Sequence, residues 1–489
     1  MTRRSVAPAI TLAMTLAIGA TACTSSKHQT QASDAPSTTT TPLAPTSSAP
    51  SGSGGATTPS SVTASPTAHP AAVWPTYHHD AARTGTAANA KPVAKLIVAA
   101  TAKLDGAVYA SPLVLRDAQG PLVIAATENN SLYALRDNGS VVWQRHIGTP
   151  VDGGSLPCGN INPSGITGTP AYDESSGLIF AVAFLNGHRH ELVAIDARTG
   201  AVAWNKPVDP PGSHPEVEQQ RSALLVSGGR VWVAYGGLFG DCGPYHGYVV
   251  GVATSGQGNP LIYQVPSARE AGIWTPAGLA ADSAGHLYAS VGNGAQTNPK
   301  ASYDMSDSVI ELDQNLKVVS FFAPSTWAAE NSRDLDLGTT GPVLLPDGRV
   351  FVAGKAGNAY LLQQGHLGGL GGKVPSIPLC KAFGGAAYAD GVVYVPCTNG
   401  IRALRVNGAT MTPSWSAKPA GSPVVAGGVV LAVDAGSGTL HALDLASGAT
   451  KAKVSLGDST TRFATPAVGD DGHVYVGTTH GSLVIVATS

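Results

Sequence analysis

Four cysteines, Cys158, Cys242, Cys380 and Cys397, carry the most directly readable chemistry in the chain. No Cys-x-x-Cys or tight Cys/His spacing accompanies them, which argues against a metal centre. With the fifth cysteine, Cys23, set aside in the N-terminal leader described below, the remaining even number favours two disulfides instead, as such leaders accompany export. Cys380 and Cys397 flank a hairpin-like segment and could pair locally, in which case Cys158 and Cys242 would join neighbouring structural units; the sequence leaves the connectivity open. The adjacent His78 and His79 have ligand side chains, but contacts that cap one end of the fold are the stronger expectation. His188-Arg189-His190 reads as a polar hairpin tip. The glycine-rich stretch Gly365–Gly372 lacks the strand-to-helix context and the Lys-Ser/Thr ending of a phosphate loop, so it reads as a turn connecting units. Spacing alone defines no Ser/His/Asp or paired-carboxylate hydrolase constellation.

Any such residues must be positioned by one short repeating element. Its plainest copy runs from Gly421 to Leu456, where four apolar, β-branched runs are punctuated by Gly427-Gly428, Asp434–Gly438 and Ala446-Ser447-Gly448. That pattern describes a four-stranded antiparallel meander. A single such sheet cannot cover its own two faces, so it requires stacked copies. Copies open near Ala110, Gly168, Arg221, Thr275, Thr339, Gly385, Gly421 and Ala464, at intervals of about 36 to 64 residues. The turn and following strand recur as Arg136-Asp137-Asn138-Gly139 leading to Trp143, and as Asp196-Ala197-Arg198-Thr199-Gly200 leading to Trp204. Eight openings imply an all-β fold, an eight-bladed β-propeller of four-stranded blades spanning 73–489. Two β-sandwiches, the alternative, would not produce a repeated turn-Trp signature. The last copy, from Ala464, has only three strands, so Leu96–Ala100 or its continuation to Leu104 is expected to complete that blade.

A net charge of −2, with 12% charged residues, gives no basic field for nucleic acid. Fifty-nine glycines and 35 prolines suit a turn-dense β protein. At the N-terminus, Arg3-Arg4 precedes an apolar core from Val6 to Ala20 that is short for a membrane span. Ala20-Thr21-Ala22-Cys23 resembles a bacterial lipobox, implying that residues 1–23 form a lipoprotein signal peptide, with diacylglyceryl attachment to Cys23. An ordinary secretory signal is the alternative. Residues 24–72 are rich in Ser, Thr, Pro, Ala and Gly, and are expected to form a disordered tether. The protein is thus expected outside the cytoplasm, lipid-anchored to the bacterial cell membrane.

The turn-Trp copies, and the lead-in Trp74-x-x-Tyr77-x-x-Asp80-x-x-Arg83-Thr84-Gly85, resemble propeller repeats of the pyrroloquinoline quinone (PQQ) type. This repeat occurs in quinoprotein dehydrogenases, in an outer-membrane assembly scaffold lipoprotein and in other exported proteins, and implies a fold rather than an activity. Within 287–294, Asn293 is similar to a calcium-ligating Asn of quinoprotein alcohol dehydrogenases. Arg333–Gly338 resembles the segment of their catalytic Asp, which maps onto Asp336 with Asp334 beside it. Lys355 falls where a Lys or Arg contacts the quinone oxygens, Asp241 where an acidic calcium ligand comes, and Trp274 near a stacking Trp. The resemblance implies PQQ and calcium held by Asp241, Asn293 and Asp336, with Asp336 accepting an alcohol proton and Lys355 stabilising the reduced cofactor. Bland roles stand beside these: Asn293 as a left-handed turn residue, Asp334 and Asp336 as turn caps, Lys355 as a solvated side chain.

The adjacent cysteine pair of those enzymes is missing. The leading expectation is therefore a membrane-tethered propeller that binds a small ligand or a protein partner. The alternatives are a PQQ- and calcium-dependent dehydrogenase of alcohols or sugars, and a scaffold in envelope protein assembly.

Overall fold

The computed structural model describes residues 68–489. Cys23, the leader and most of the tether lie outside the described residues. Ala71 and Ala72, grouped with the tether by composition, belong instead to a strand, Ala71–Trp74, that pairs with Leu113–Asp117.

Eight separate sheets form, each a four-stranded meander with at most one or two short additions. They are numbered here as blades 1 to 8 in chain order, beginning at Leu113, Ala171, Leu225, Ala280, Val343, Ala387, Val424 and Ala467. The first strands of consecutive blades approach one another from blade 2 to blade 7, and blade 8 meets blade 1, so these strands surround the axis. Second and third strands such as Leu178–Leu185 and Ser131–Leu135 are buried almost throughout, because a neighbouring blade covers each face. Fourth strands such as Thr450–Ser455 alternate between exposed and partly buried at the rim. This gradient explains why the inner strands read as continuous apolar runs and the outer ones as alternating.

The repeated turn-Trp signature has a packing cause. Trp143 of blade 1 donates its indole N–H to the Ala197 carbonyl of blade 2 at 2.9 Å. Trp204 donates to Thr254 and Trp415 to Leu445 in the same way, at 3.2 and 2.8 Å. Each ring lies under a turn glycine of the next blade: Gly200, Gly256 and Gly448 all have positive φ, and a Cβ there would stand 2.4 to 2.7 Å from the indole. Only glycine allows both the turn and the close approach.

Ring closure follows the expected route. Leu96–Lys103 pairs antiparallel with Ser482–Thr488, supplying the outermost strand of blade 8 before the chain enters blade 1. Two disulfides form, Cys158–Cys242 between loops of blades 2 and 3 and Cys380–Cys397 at the entry to blade 6, with Cα separations of 6.2 and 5.9 Å.

The Trp74–Gly85 lead-in fills the axis. Pro75, Ala81, Ala82, Thr84 and Gly85 offer carbonyl oxygens to backbone N–H groups of blades 2, 4, 5, 6 and 7 in turn. Buried Arg83 donates to the carbonyls of Leu279, Tyr77 and Leu224 and to the Thr76 hydroxyl. His78 lies wholly buried between the Ala386 carbonyl and the Thr465 hydroxyl, and burial pushes its pKa down to about 3, so it is neutral. The histidine pair thus serves the plug.

Two other expectations change. His190 is buried, stacked on Phe184 at 4.3 Å and bonded to Asp209, because it occupies an inward strand position beyond the tip residue His188. Gly365–Gly372 lies within blade 5 rather than between blades. Its Gly369-Leu370 pairs in parallel with Phe322-Ala323 of blade 4, since the glycines let the loop fold back onto that sheet.

Candidate functional site

One end of the axis holds a cavity of about 490 Å³. Its lining comes from two kinds of loop. Second strands end in loops that deliver Asp241 and Lys355, and links between blades deliver Arg221, Trp274, Asp336, Phe383 and Phe463. Tyr77 of the plug packs against Ala223 and Ala277, close in sequence to Arg221 and Trp274 of the lining. Cys158–Cys242 ties the Asn160 rim to the Asp241 rim.

Close backbone packing sets the acidic corner. A Cβ on Gly354 would lie 2.5 Å from the Asp336 carbonyl, and one on Gly338 would lie 2.5 Å from backbone of the 291–292 segment. These glycines bring 291–293, 336–338 and 354–355 into one layer. Asp336 Oδ1 accepts the Asn293 backbone N–H at 2.9 Å, and its Oδ2 pairs with Lys355 Nζ at 2.9 Å. Lys355 Nζ also meets Asp334 Oδ1 at 2.5 Å. Burial raises the Asp336 carboxyl above its usual range, against the pull of Lys355. Burial opposes the Lys355 ammonium, but Asp336 and Asp334 outweigh it and hold it above an ordinary lysine. Asp241, by contrast, sits on the exposed rim and accepts the hydroxyl of buried Tyr245 at 2.7 Å.

Three cations reach the aromatic walls. Arg221 and Lys355 stand 5.9 and 5.8 Å from the Trp274 ring centre, and Arg462 stands 4.9 Å from that of Phe383. Trp274 meets Phe463 edge-on at 6.4 Å. Burial pushes Arg221 down to about 10, which leaves it charged, and its buried Nε has no hydrogen-bond partner.

The structure therefore brings Asp241, Trp274, Asp334, Asp336 and Lys355 around one cavity. Asn293 adjoins it through a backbone N–H. Arg221, Tyr245, Phe383, Arg462 and Phe463 were missed by sequence reasoning. Four of them lie on links between blades and Tyr245 on a loop after a second strand, and none carries a periodic signal of its own.

The lining sets three cations, Arg221, Lys355 and Arg462, against three carboxylates, Asp241, Asp334 and Asp336. Both carboxylate oxygens of Asp336 are engaged, one by the Lys355 ammonium, and Asn293 presents a donor there. Among the described residues, Asp241 and Asp336 join no third carboxylate or imidazole at metal-ligand spacing. Calcium held by oxygen ligands does not fit this arrangement, because Lys355 already supplies the positive charge.

Comparison with known proteins narrows the family. No curated protein sequence matches the chain. In fold it is similar to quinohemoprotein alcohol dehydrogenase from Comamonas testosteroni, at 15% identity and a TM-score of 0.68, covering 85% of this chain and 80% of that one. A europium-containing methanol dehydrogenase gives 15% identity and 0.65, covering 85% and 98%. BamB from Moraxella catarrhalis gives 17% identity and 0.53, covering 81% and 98%. At such identities the likeness is one of fold alone. Among the described residues, no helix is long and apolar enough to cross a membrane. A PQQ-repeat family model, described as outer membrane protein assembly factor BamB, matches residues 99–234 and 317–489, more than half of the sequence, so the chain belongs to that family of PQQ-like propellers.

Proposed function

We propose that this propeller is an extracytoplasmic, lipid-tethered binding protein whose axial cavity takes a small aromatic anion. The observation that carries this reading is the joint presentation of Arg221, Lys355 and Arg462 on walls of Trp274, Phe383 and Phe463. Arg221 and Arg462 form no ion pair with a carboxylate among the described residues, whereas Lys355 is shared by two. A ligand carboxylate or phosphate would therefore meet the guanidinium groups, with its ring against the aromatic faces. Asp336 and Lys355 act in this reading as a fixed charged floor that orients the ligand.

PQQ itself, a planar polyanion, is the test ligand. Titrated into the metal-free protein, it should quench Trp274 fluorescence, and Arg221→Ala or Arg462→Ala should weaken the response about tenfold or more. Added calcium should change little, and an artificial electron acceptor should stay oxidised when alcohols or aldoses are supplied. Calcium-dependent dye reduction would replace this reading with the dehydrogenase one. An absence of quenching by PQQ and by simpler aromatic carboxylates would remove the small-ligand reading and leave partner binding on the fold.

A further inference from the structure

At the seam where blade 8 meets blade 1, Asp137, Asp471 and His473 each bring one ligand atom within 4.8 Å of the others. Asp137 lies in the turn between the third and fourth strands of blade 1. Asp471 and His473 lie in the hairpin between the first and second strands of blade 8. None of these residues lines the axial cavity.

Two features mark this seam. The Trp-under-glycine lock that joins blades 1 to 2, 2 to 3 and 6 to 7 does not recur here, because Gly139 faces Ala100 and Ala102 of the closing strand at 3.6 and 3.7 Å. The acidic charge is also only partly compensated. Arg116 pairs with Asp470, while the Asp137 carboxylate meets no hydrogen-bond or ion-pair partner among the described residues.

An independent observation points to a missing ligand. Tyr475 is fully buried, yet its hydroxyl has no hydrogen-bond partner. His473 immediately precedes the strand Val474–Gly477 that carries Tyr475, and the two ring centres lie 6.4 Å apart. A Cβ placed on Gly469 would stand 2.5 Å from Asp471 Oδ1 and 3.5 Å from Tyr475 Cε2, the ring carbon next to the hydroxyl-bearing one. Of the charged groups around that hydroxyl, Asp471 and then Asp137 act on it most strongly.

We propose that Asp137, Asp471 and His473 bind a divalent transition-metal ion, zinc or manganese, that clasps the last blade to the first. One imidazole and two carboxylates make a nitrogen–oxygen set suited to these ions. Ligands about 2.1 Å from a shared ion stand roughly 3 to 3.4 Å from one another, and His473 Nδ1 already lies 2.9 Å from Asp471 Oδ2. The ion takes the place where those two atoms now meet and draws Asp137 across the seam. The Tyr475 hydroxyl supports the ligand shell from the buried side.

The full chain, stripped with EDTA, is titrated with zinc chloride and manganese chloride by calorimetry and thermal melting. One ion should bind per chain with micromolar affinity, and Tm should rise by several degrees. Asp137→Asn and His473→Ala should each weaken binding about tenfold or more, while His366→Ala, an exposed histidine elsewhere, leaves it intact. Tyr475→Phe removes only the unpartnered hydroxyl, so it should keep the metal-free melting temperature yet reduce the metal response. The assignment is overturned by the absence of saturable binding below millimolar metal, or by affinity that survives Asp137→Asn and Tyr475→Phe together.

Discussion

Lys355 stands between an exposed and a buried carboxylate, and the two contacts differ in weight. The Asp334 side chain is 62% exposed, so its pairing is largely screened. Asp336 is 2% exposed, and removing its cation strands a charge in the interior. Lys355→Met should therefore cost about 3 kcal/mol in chemical denaturation, and Asp336→Asn on top should recover much of it. Full additivity of the two changes would show that the pair is not coupled. Glu128 offers a pH test. Burial raises its carboxyl to about 7, against hydrogen bonds from Gly165 and Thr167. Its folded pKa lies above the unfolded value near 4.5, so the folded state holds the proton more tightly. That contribution is fully present below about 4.5 and is lost as pH rises through about 7. The wild type should lose about 2–3 kcal/mol across this window relative to Glu128→Gln. Parallel pH profiles for the two proteins would contradict the assignment.

At the scale of elements, blades 1 and 2 are held together by one indole under one turn. Trp143→Ala removes a ring that is 9% exposed together with its bond to Ala197, and should cost about 3 kcal/mol or more. Gly200→Ala approaches the same seam from the other side. Its φ is +69°, and the new methyl would lie 2.7 Å from the indole, so it too should lower Tm although it only adds atoms. An unchanged Tm in either variant would mean that the seam relaxes freely. The Cys158–Cys242 bridge spans 84 residues of sequence, a separation for which loop-closure entropy suggests roughly 4 kcal/mol. Its reduction should also loosen the rim that holds Asn160 and Asp241, seen as weaker ligand quenching at temperatures where the fold persists.

For the whole molecule, the decisive economy is that one short N-terminal segment serves almost every blade. Plug carbonyls satisfy backbone donors in five of them, and Arg83 gathers acceptors from two more elements of the ring. Arg83→Ala leaves the buried carbonyls of Leu279 and Tyr77 without this donor, while Leu224 keeps the Thr76 hydroxyl, so it should destabilise the ring globally, by about 2 kcal/mol or more. Hydrogen exchange should report faster opening in all blades together. Exchange confined to the blades nearest Arg83 would show that the plug fastens locally.

Repetition made much of this legible beforehand. Alternating apolar runs, turn glycines at fixed offsets and the spaced tryptophans specify four-stranded blades, because each feature acts within one repeat or between consecutive repeats. The count of eight and the closing partner of Leu96–Lys103 follow from the same regularity. The cavity did not follow so simply. Arg221, Phe383, Arg462 and Phe463 lie on links whose sequences carry no periodic signal, and only closure of the ring brings them together. Asp336 and Lys355 were visible as residues, yet their pairing and burial arise where backbone layers meet through Gly338 and Gly354. The plug shows the same division, since His78 beside His79 is chemically ambiguous until the surrounding blades desolvate it and hold it neutral. Local pattern determines the blades because their contacts are close in sequence, and the circle alone decides the site because its groups come from across the chain.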